Sequence, residues 1–241
     1  EFRRVLFRSA EASGFRLESV NSEYDAPQFE FTLEYDSALR AIDHAALFKL
    51  LAQETALKMG HHLTFMGKPF AHLAGSGLHL NISFRNASGA TAMNDPKGAH
   101  GLADVARWSI GGMLEHHDAI TAIGAPTVNA YKRLKPGQLA GFFANWGIDH
   151  RSAAIRIPAE RDEACRIEHR VPDGAANVYL TAAALLTAAR LGVEGRIEPP
   201  APETGDALET ANTDRIPPAN LGAACDALEA DTVFVEAFGP T

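Results

Sequence analysis

The stretch Arg151–Asp173, RSAAIRIPAERDEACRIEHRVPD, constrains this chain more than any other. Charged and apolar residues alternate there with the two-residue period of an extended strand, whose side chains point to opposite faces in turn. Read as a strand, Arg166–Arg170 places Arg166, Glu168 and Arg170 on one face and Ile167 and His169 on the other. Ile155 and Ile157 likewise flank Arg156, and Arg151 adds a fourth cation. The formal net charge is −8, so four arginines gathered here are placed rather than background.

Guanidinium groups offer a rigid fork of donors that matches phosphate or carboxylate oxygens, and they stay charged at any working pH. Glu168, between Arg166 and Arg170, is expected to stay ionised, because opposite charges favour the charged form. An ionised carboxylate beside a polyanion points to a bridging divalent metal. The competing reading is an ion-pair ladder on a solvated edge strand.

A chain of 241 residues with 46% hydrophobic content can bury one sizeable core. Its acidic balance argues against a nucleic-acid partner and against an anionic membrane surface. Apolar runs fall short of the ~20 residues that cross a bilayer. Cys165 and Cys225 form no CxxC pair, which suits a reducing, cytoplasmic setting. Glu1–Ser9, EFRRVLFRS, can be encoded by a common sequencing-adapter oligonucleotide, so residues 1–9 are set aside as a read-through artefact.

Phe15–Ser19 and Gln28–Tyr35 are expected to be strands around a turn at Tyr24–Pro27. Asp36–Gly60 follows as an amphipathic helix, with Leu47, Leu50, Leu51 and Leu57 in its buried stripe. Leu63–Met66 reads as a short strand and Gly67–Gly77 as a loop of small residues. In LHLNISF, Leu78, Leu80, Ile82 and Phe84 share one face; His79, Asn81 and Ser83 share the other. His100–Ile123 is expected as one helix, Thr127–Ala144 as an irregular loop and Asp173–Val193 as a buried, Ala-rich helix. A Pro-rich surface excursion over Glu198–Pro218 and a helix over Ala219–Glu229 complete the reading. Two-faced strands among long helices predict an α+β fold with a mainly antiparallel sheet, whose polar strand faces suggest a funnel-shaped site for metals and phosphate.

The segments GSGLHLNIS, NAYKRLKPG, HRSAAIRIP and RIEHRVPDGAANVYL occur in that order, after an E-x6-E pair within SEYDAPQFE. Together they resemble the catalytic domain of glutamine synthetase and its γ-glutamyl–amine ligase relatives, over roughly Phe15 to Gly239. The resemblance implies a curved, mainly antiparallel sheet with helices packed outside, ring-shaped homo-oligomers and a two-step reaction. ATP phosphorylates the γ-carboxylate of glutamate, and an amine then attacks the acyl phosphate, with two Mg²⁺ or Mn²⁺ ions at the site. It implies Glu23 and Glu30 as ligands of one metal and His79 and Glu168 as ligands of the other. Arg133 and Arg170 are implied at the substrate, and Arg151, Arg156 and Arg166 around the ATP phosphates, with Arg151 and Arg170 acting on the transferred group. Glu18, Tyr35, Asn81 and Ser83 are implied as nucleotide contacts, and Gly75 as part of the loop that meets the substrate carboxylate. Residues 10–241 would then be a partial catalytic domain, without the family's N-terminal β-grasp domain, first catalytic strand and C-terminal tail, and inactive by itself.

Three departures bear on function. The family's PGYEAP flap reads PGQLAG here, so Leu139 stands where ammonia-using members carry a glutamate; a leucine takes no proton from ammonium. That points to an organic amine as acceptor, with ammonia the alternative. Asn81 replaces a second histidine, and Ala74 replaces a polar residue near the substrate, which loosens the case for glutamate as donor. A non-catalytic sensor or scaffold is the remaining alternative, but keeping this many desolvated charges is costly for a scaffold.

Overall fold

The computed structural model describes residues 1–239. Its elements run α1 (Phe2–Ala12), β1 (Leu17–Ser22), β2 (Phe29–Leu33), α2 (Ala38–Lys58), β3 (Leu80–Ile82), α3 (Asp104–Glu115), α4 (His117–Gly124), β4 (Trp146–Ile148), β5 (Ile155–Ile157), β6 (Ile167–His169), α5 (Val178–Gly195), α6 (Leu221–Ala230) and α7 (Thr232–Phe238). The α+β expectation holds. The strands form two sheets rather than one: an antiparallel β1–β2 pair, and a four-stranded sheet in the order β3-β6-β5-β4. Pairing is antiparallel except between β4 and β5, which run parallel.

The four-stranded sheet follows its alternation. Ile155, Ile157 and Ile167 are fully buried and pack with Leu185, Ala188, Ile110 and Met113, while Leu80 and Ile82 of β3 and Phe84 just beyond it close the same core. Helices α3 and α5 therefore cover the apolar face, and the charged residues of β5 and β6 are left on the other. Asn177 starts α5 by accepting from the Tyr179 and Leu180 amides.

Several expectations are corrected. His100–Ile123 is two helices, because His116 leaves helical geometry and its ring pairs with Asp231 at 2.6 Å. That break lets α3 pack on α5 while α4 packs on α6. Leu63–Met66 forms no strand. The buried face of α2 carries Phe48, Ala52, Thr55 and Ala56, whereas Leu47, Leu50 and Leu57 are exposed and Leu51 is only partly covered. The excursion over 198–218 is irregular but anchored. Ala207 and Glu203 are buried, and Glu203 accepts from the Thr204, Gly205 and Asn212 amides.

Residues 1–9, set aside on their sequence, lie within or beside α1, where Leu6 and Ala10 pack on Phe15, Leu17, Phe48 and Ala52. Phe2, Leu6 and Ala10 recur every four residues, and that spacing alone suffices to make an amphipathic helix.

Candidate active site

Register builds the site. Antiparallel pairing sets Arg156 of β5 and Asn81 of β3 on either side of Glu168 on the central strand β6. Glu168 Oε2 accepts from Arg156 Nη1 at 2.8 Å, and Oε1 accepts from Arg170 Nη1 and lies 3.3 Å from His79 Nδ1. The carboxylate thus sits between two guanidinium groups, but the partners are Arg156 and Arg170. Arg166, expected to be one of them, turns outward, where Nε donates to Asn81 Oδ1 at 3.2 Å and Nη1 pairs with Glu160. Glu168 belongs to a buried cluster rather than to an exposed ion-pair ladder, since its side chain and that of Arg170 are only 7% and 8% exposed.

The electrostatics follow from that burial. Desolvation pushes Glu168 up, but the hydrogen bonds from His79 and Arg156 and the charges of Arg170 and His79 outweigh it and hold it at about 2. His79 is lowered to about 4, chiefly by burial, with Glu168 opposing and the Arg170 and Arg133 charges adding. Glu30 is raised by burial and by the neighbouring Glu23 and Glu168 carboxylates, against the pull of Arg170 and Arg151. The charges of Glu23, Glu168, Arg151 and Arg170 therefore all lie close enough to Glu30 to act on it. Glu30 reaches it from β2, opposite Asn21 of β1, and Glu23 from the turn that follows β1.

Arg133 is placed by the loop after α4. Its guanidinium donates to the Val171 carbonyl at 2.7 Å and the Arg170 carbonyl at 3.0 Å, and burial lowers it to about 10 against the opposing charge of Asp173. It packs under the Gly67–Gly77 loop. A Cβ on Gly75 would lie 2.8 Å from Arg133 Cγ, and one on Gly77 would lie 2.7 Å from Arg133 Nη2 and 2.8 Å from His79 Nε2. These glycines are required by contacts inside the protein, whereas the sequence reading attributed the small residues to a ligand.

Other expected site residues lie apart. Glu18 is exposed at an irregularity in β1, Tyr35 is 90% exposed just beyond β2, and Ser83 is exposed past β3. Among the described residues none of their side chains bonds to the cluster. Sequence reasoning missed four residues that shape it. Asp149 holds Arg156 from the side opposite Glu168. Asp173 is fully buried against Gly67, and Asp25 and Gln28 fasten the β1–β2 turn to the Ala74–Gly75 backbone. None stands in a pattern with a two- or four-residue period, so only their contacts reveal them.

The donor set suits hard divalent ions in two halves. Glu23 and Glu30 offer carboxylates, and His79 and Glu168 offer a neutral imidazole and an ionised carboxylate, the states that bind metal. Among the described residues no three His, Cys, Asp or Glu side chains are gathered to hold one ion. Oε1 of Glu168 is shared by Arg170 and His79 and Oε2 accepts from Arg156, so an ion there would share the carboxylate with guanidinium groups.

Comparison with known proteins extends this reading. Residues 1–241 match the family model described as glutamine synthetase, catalytic domain. The glutamine synthetase of Thermotoga maritima is 38% identical over 247 residues, covering 99% of this chain and 56% of that protein. The glutamine synthetase of Pyrococcus horikoshii is 39% identical over 232 residues, covering 94% and 52%. A solved structure of apo GmaS without ligand superposes with a TM-score of 0.89 at 34% identity, covering 99% of this chain and 55% of that one. The chain spans about half the length of the curated relatives it matches.

Proposed function

The chain belongs to the glutamine synthetase family, and from that premise we propose that it is the core of an ATP-dependent ligase that joins the γ-carboxyl group of glutamate to an organic amine. The observation that carries this reading is the Glu168 cluster, in which a buried carboxylate is held ionised among Arg156, Arg170 and His79 and faces Glu30 and Arg151. Such an array suits phosphoryl transfer, which needs alignment and charge neutralisation more than covalent help. A γ-carboxylate oxygen of the donor bonds to the terminal phosphorus of ATP, and the bond to the ADP oxygen breaks. The amine lone pair then bonds to the acyl carbon, inorganic phosphate leaves and the amine nitrogen loses a proton. Divalent ions, held by Glu23 with Glu30 and by His79 with Glu168, would supply charge neutralisation along the polyphosphate. Arg151 and Arg170 would act on the transferred group and Arg156 along the rest of the phosphate chain, whereas Arg166 would have to leave Asn81 and Glu160 to join it. Arg133 stiffens the donor loop from beneath, through its packing on Gly75.

The acceptor is read from Leu139, which is 56% exposed on the flap and presents a hydrocarbon surface. A leucine neither attracts ammonium nor removes its proton, but it can pack against the carbon of an amine. Similarity extends both to GmaS and to relatives named glutamine synthetase, so in this reading the flap residue decides the acceptor. In a family-length protein containing these residues, glutamate-dependent ADP release should be faster with methylamine than with ammonium, and Leu139→Glu should raise the use of ammonium. Ammonium used as well as any amine tested would overturn the amine reading. Absence of Mg²⁺-dependent nucleotide binding would overturn the ligase reading itself. We assign turnover to the family-length protein and expect residues 10–241 alone to release no ADP.

A further inference from the structure

Arg156 is gripped from two sides. Its Nη1 donates to Glu168 Oε2 at 2.8 Å, while Nε, at 3.1 Å, and Nη2 both donate to Asp149 Oδ1. Each terminal nitrogen carries a second N–H, which meets no acceptor among the described residues. Glu168 by itself makes a single hydrogen bond to the guanidinium, about which its plane can turn. Asp149 adds a second edge and fixes that plane, leaving one donor on each terminal nitrogen for a ligand oxygen.

The backbone is bent to bring Asp149 there. Asp149 follows β4 directly and has φ +49°, in the left-handed region that side chains other than glycine's seldom adopt. Its amide donates to the Ile157 carbonyl at 2.7 Å. The chain therefore turns back at the end of β4, and the carboxylate reaches Arg156 on β5. The Asp149 side chain is 51% exposed, and a pair so open to solvent contributes little to stability. A strained turn that carries such a pair acts through the orientation it gives Arg156.

We infer that Asp149 is a positioning residue for the nucleotide: it aims Arg156 at the polyphosphate and so sets the affinity for Mg²⁺·ATP without touching the nucleotide itself. This rests on the ligase reading, which puts Arg156 along the phosphate chain. Arg151 stands in the same turn, so a carboxylate that only propped the turn would act through Arg151 instead.

The test is equilibrium binding of Mg²⁺·ATP to the family-length protein, a measurement that needs no turnover. Asparagine and glycine both tolerate a left-handed backbone; Asp149→Asn keeps an acceptor without the charge, and Asp149→Gly removes both. Asp149→Gly should raise the dissociation constant about tenfold and Asp149→Asn by less, with the melting temperature close to that of the parent. In an Arg156→Gln background, where binding is already weakened, Asp149→Gly should add nothing. A dissociation constant unchanged in both Asp149 variants would overturn the inference. So would the same tenfold rise in the Arg156→Gln background, which would make Asp149 a prop of the turn. Mg²⁺·ATP binding without glutamate- and amine-dependent ADP release would overturn the ligase reading alone, and the binding comparison would still decide the role of Asp149. An unaltered protein that binds no Mg²⁺·ATP would overturn both.

Discussion

Arg156 and Glu168 face each other across adjacent antiparallel strands, with Nη1 2.8 Å from Oε2. The pair is a register contact. Residues 12 apart in sequence meet because β5 and β6 pair Ile155 with His169 and Arg156 with Glu168. Slipping either strand by one residue would turn these charges into the isoleucine core, so the burial of Ile155, Ile157 and Ile167 also holds the ion pair in place.

Removing the central carboxylate should cost more than removing an exposed charge. Glu168→Ala leaves Arg170 buried without its anion and Arg156 with Asp149 alone. A loss of about 3 kcal/mol is expected in urea unfolding, in the range measured when one partner of a buried pair is deleted. A loss under ~1 kcal/mol would mean that the cluster is solvated as surface pairs are.

Acid sensitivity should begin with histidines. His117 and His169 are fully buried and both are held near pKa 3, His117 by burial with the charges of His169 and Arg215, and His169 by burial with His79. Below the ordinary imidazole value of about 6.5, the unfolded chain takes up protons that the folded chain refuses, so stability falls as pH drops from about 6.5 toward 3. Glu168, held at about 2, adds a second loss below the ordinary carboxylate range. Stability measured at pH 7 and pH 5 should therefore differ, and His117→Asn should flatten that difference.

Gly75→Ala should disturb the site more than a one-methyl change suggests. The new Cβ would meet Arg133 Cγ and the Gly67 carbonyl oxygen, each 2.8 Å away. Overpacking of this kind costs about 1–3 kcal/mol, and relief requires Arg133 to leave the Val171 and Arg170 carbonyls. A melting temperature equal to that of the parent protein would contradict this.

The two faces of α2 should respond differently to truncation. Phe48 is buried against Phe31 and Phe65, so Phe48→Ala should cost about 3 kcal/mol. Leu50 is 59% exposed, so Leu50→Ala should change stability by less than about 0.5 kcal/mol. Equal losses would show that the leucine face is covered in solution.

Periodicity was enough for the elements whose faces differ in polarity. The inward isoleucines of β5 and β6 and the two faces of β3 follow from local pattern, because burial acts over a few neighbouring residues, whereas the helix expected from Asp173 starts only at Val178, after the Asn177 cap. The arginine set and the resemblance to a ligase family were legible for the same reason: each lies in a short, ordered run.

Tertiary structure decided which of these groups touch. Arg166 and Arg156 are equally good partners for Glu168 in sequence, yet strand pairing gives the contact to Arg156 and sends Arg166 to Asn81. The leucines of α2 mark an apolar stripe but not which side of the helix meets β2, and the break at His116 depends on Asp231, 115 residues away. Asp25, Asp149 and Asp173 carry no local signal, since a carboxylate acquires its role from what surrounds it after folding. Pattern reports the faces of an element; the partner of a charge is set by distances that exist only once distant segments have packed.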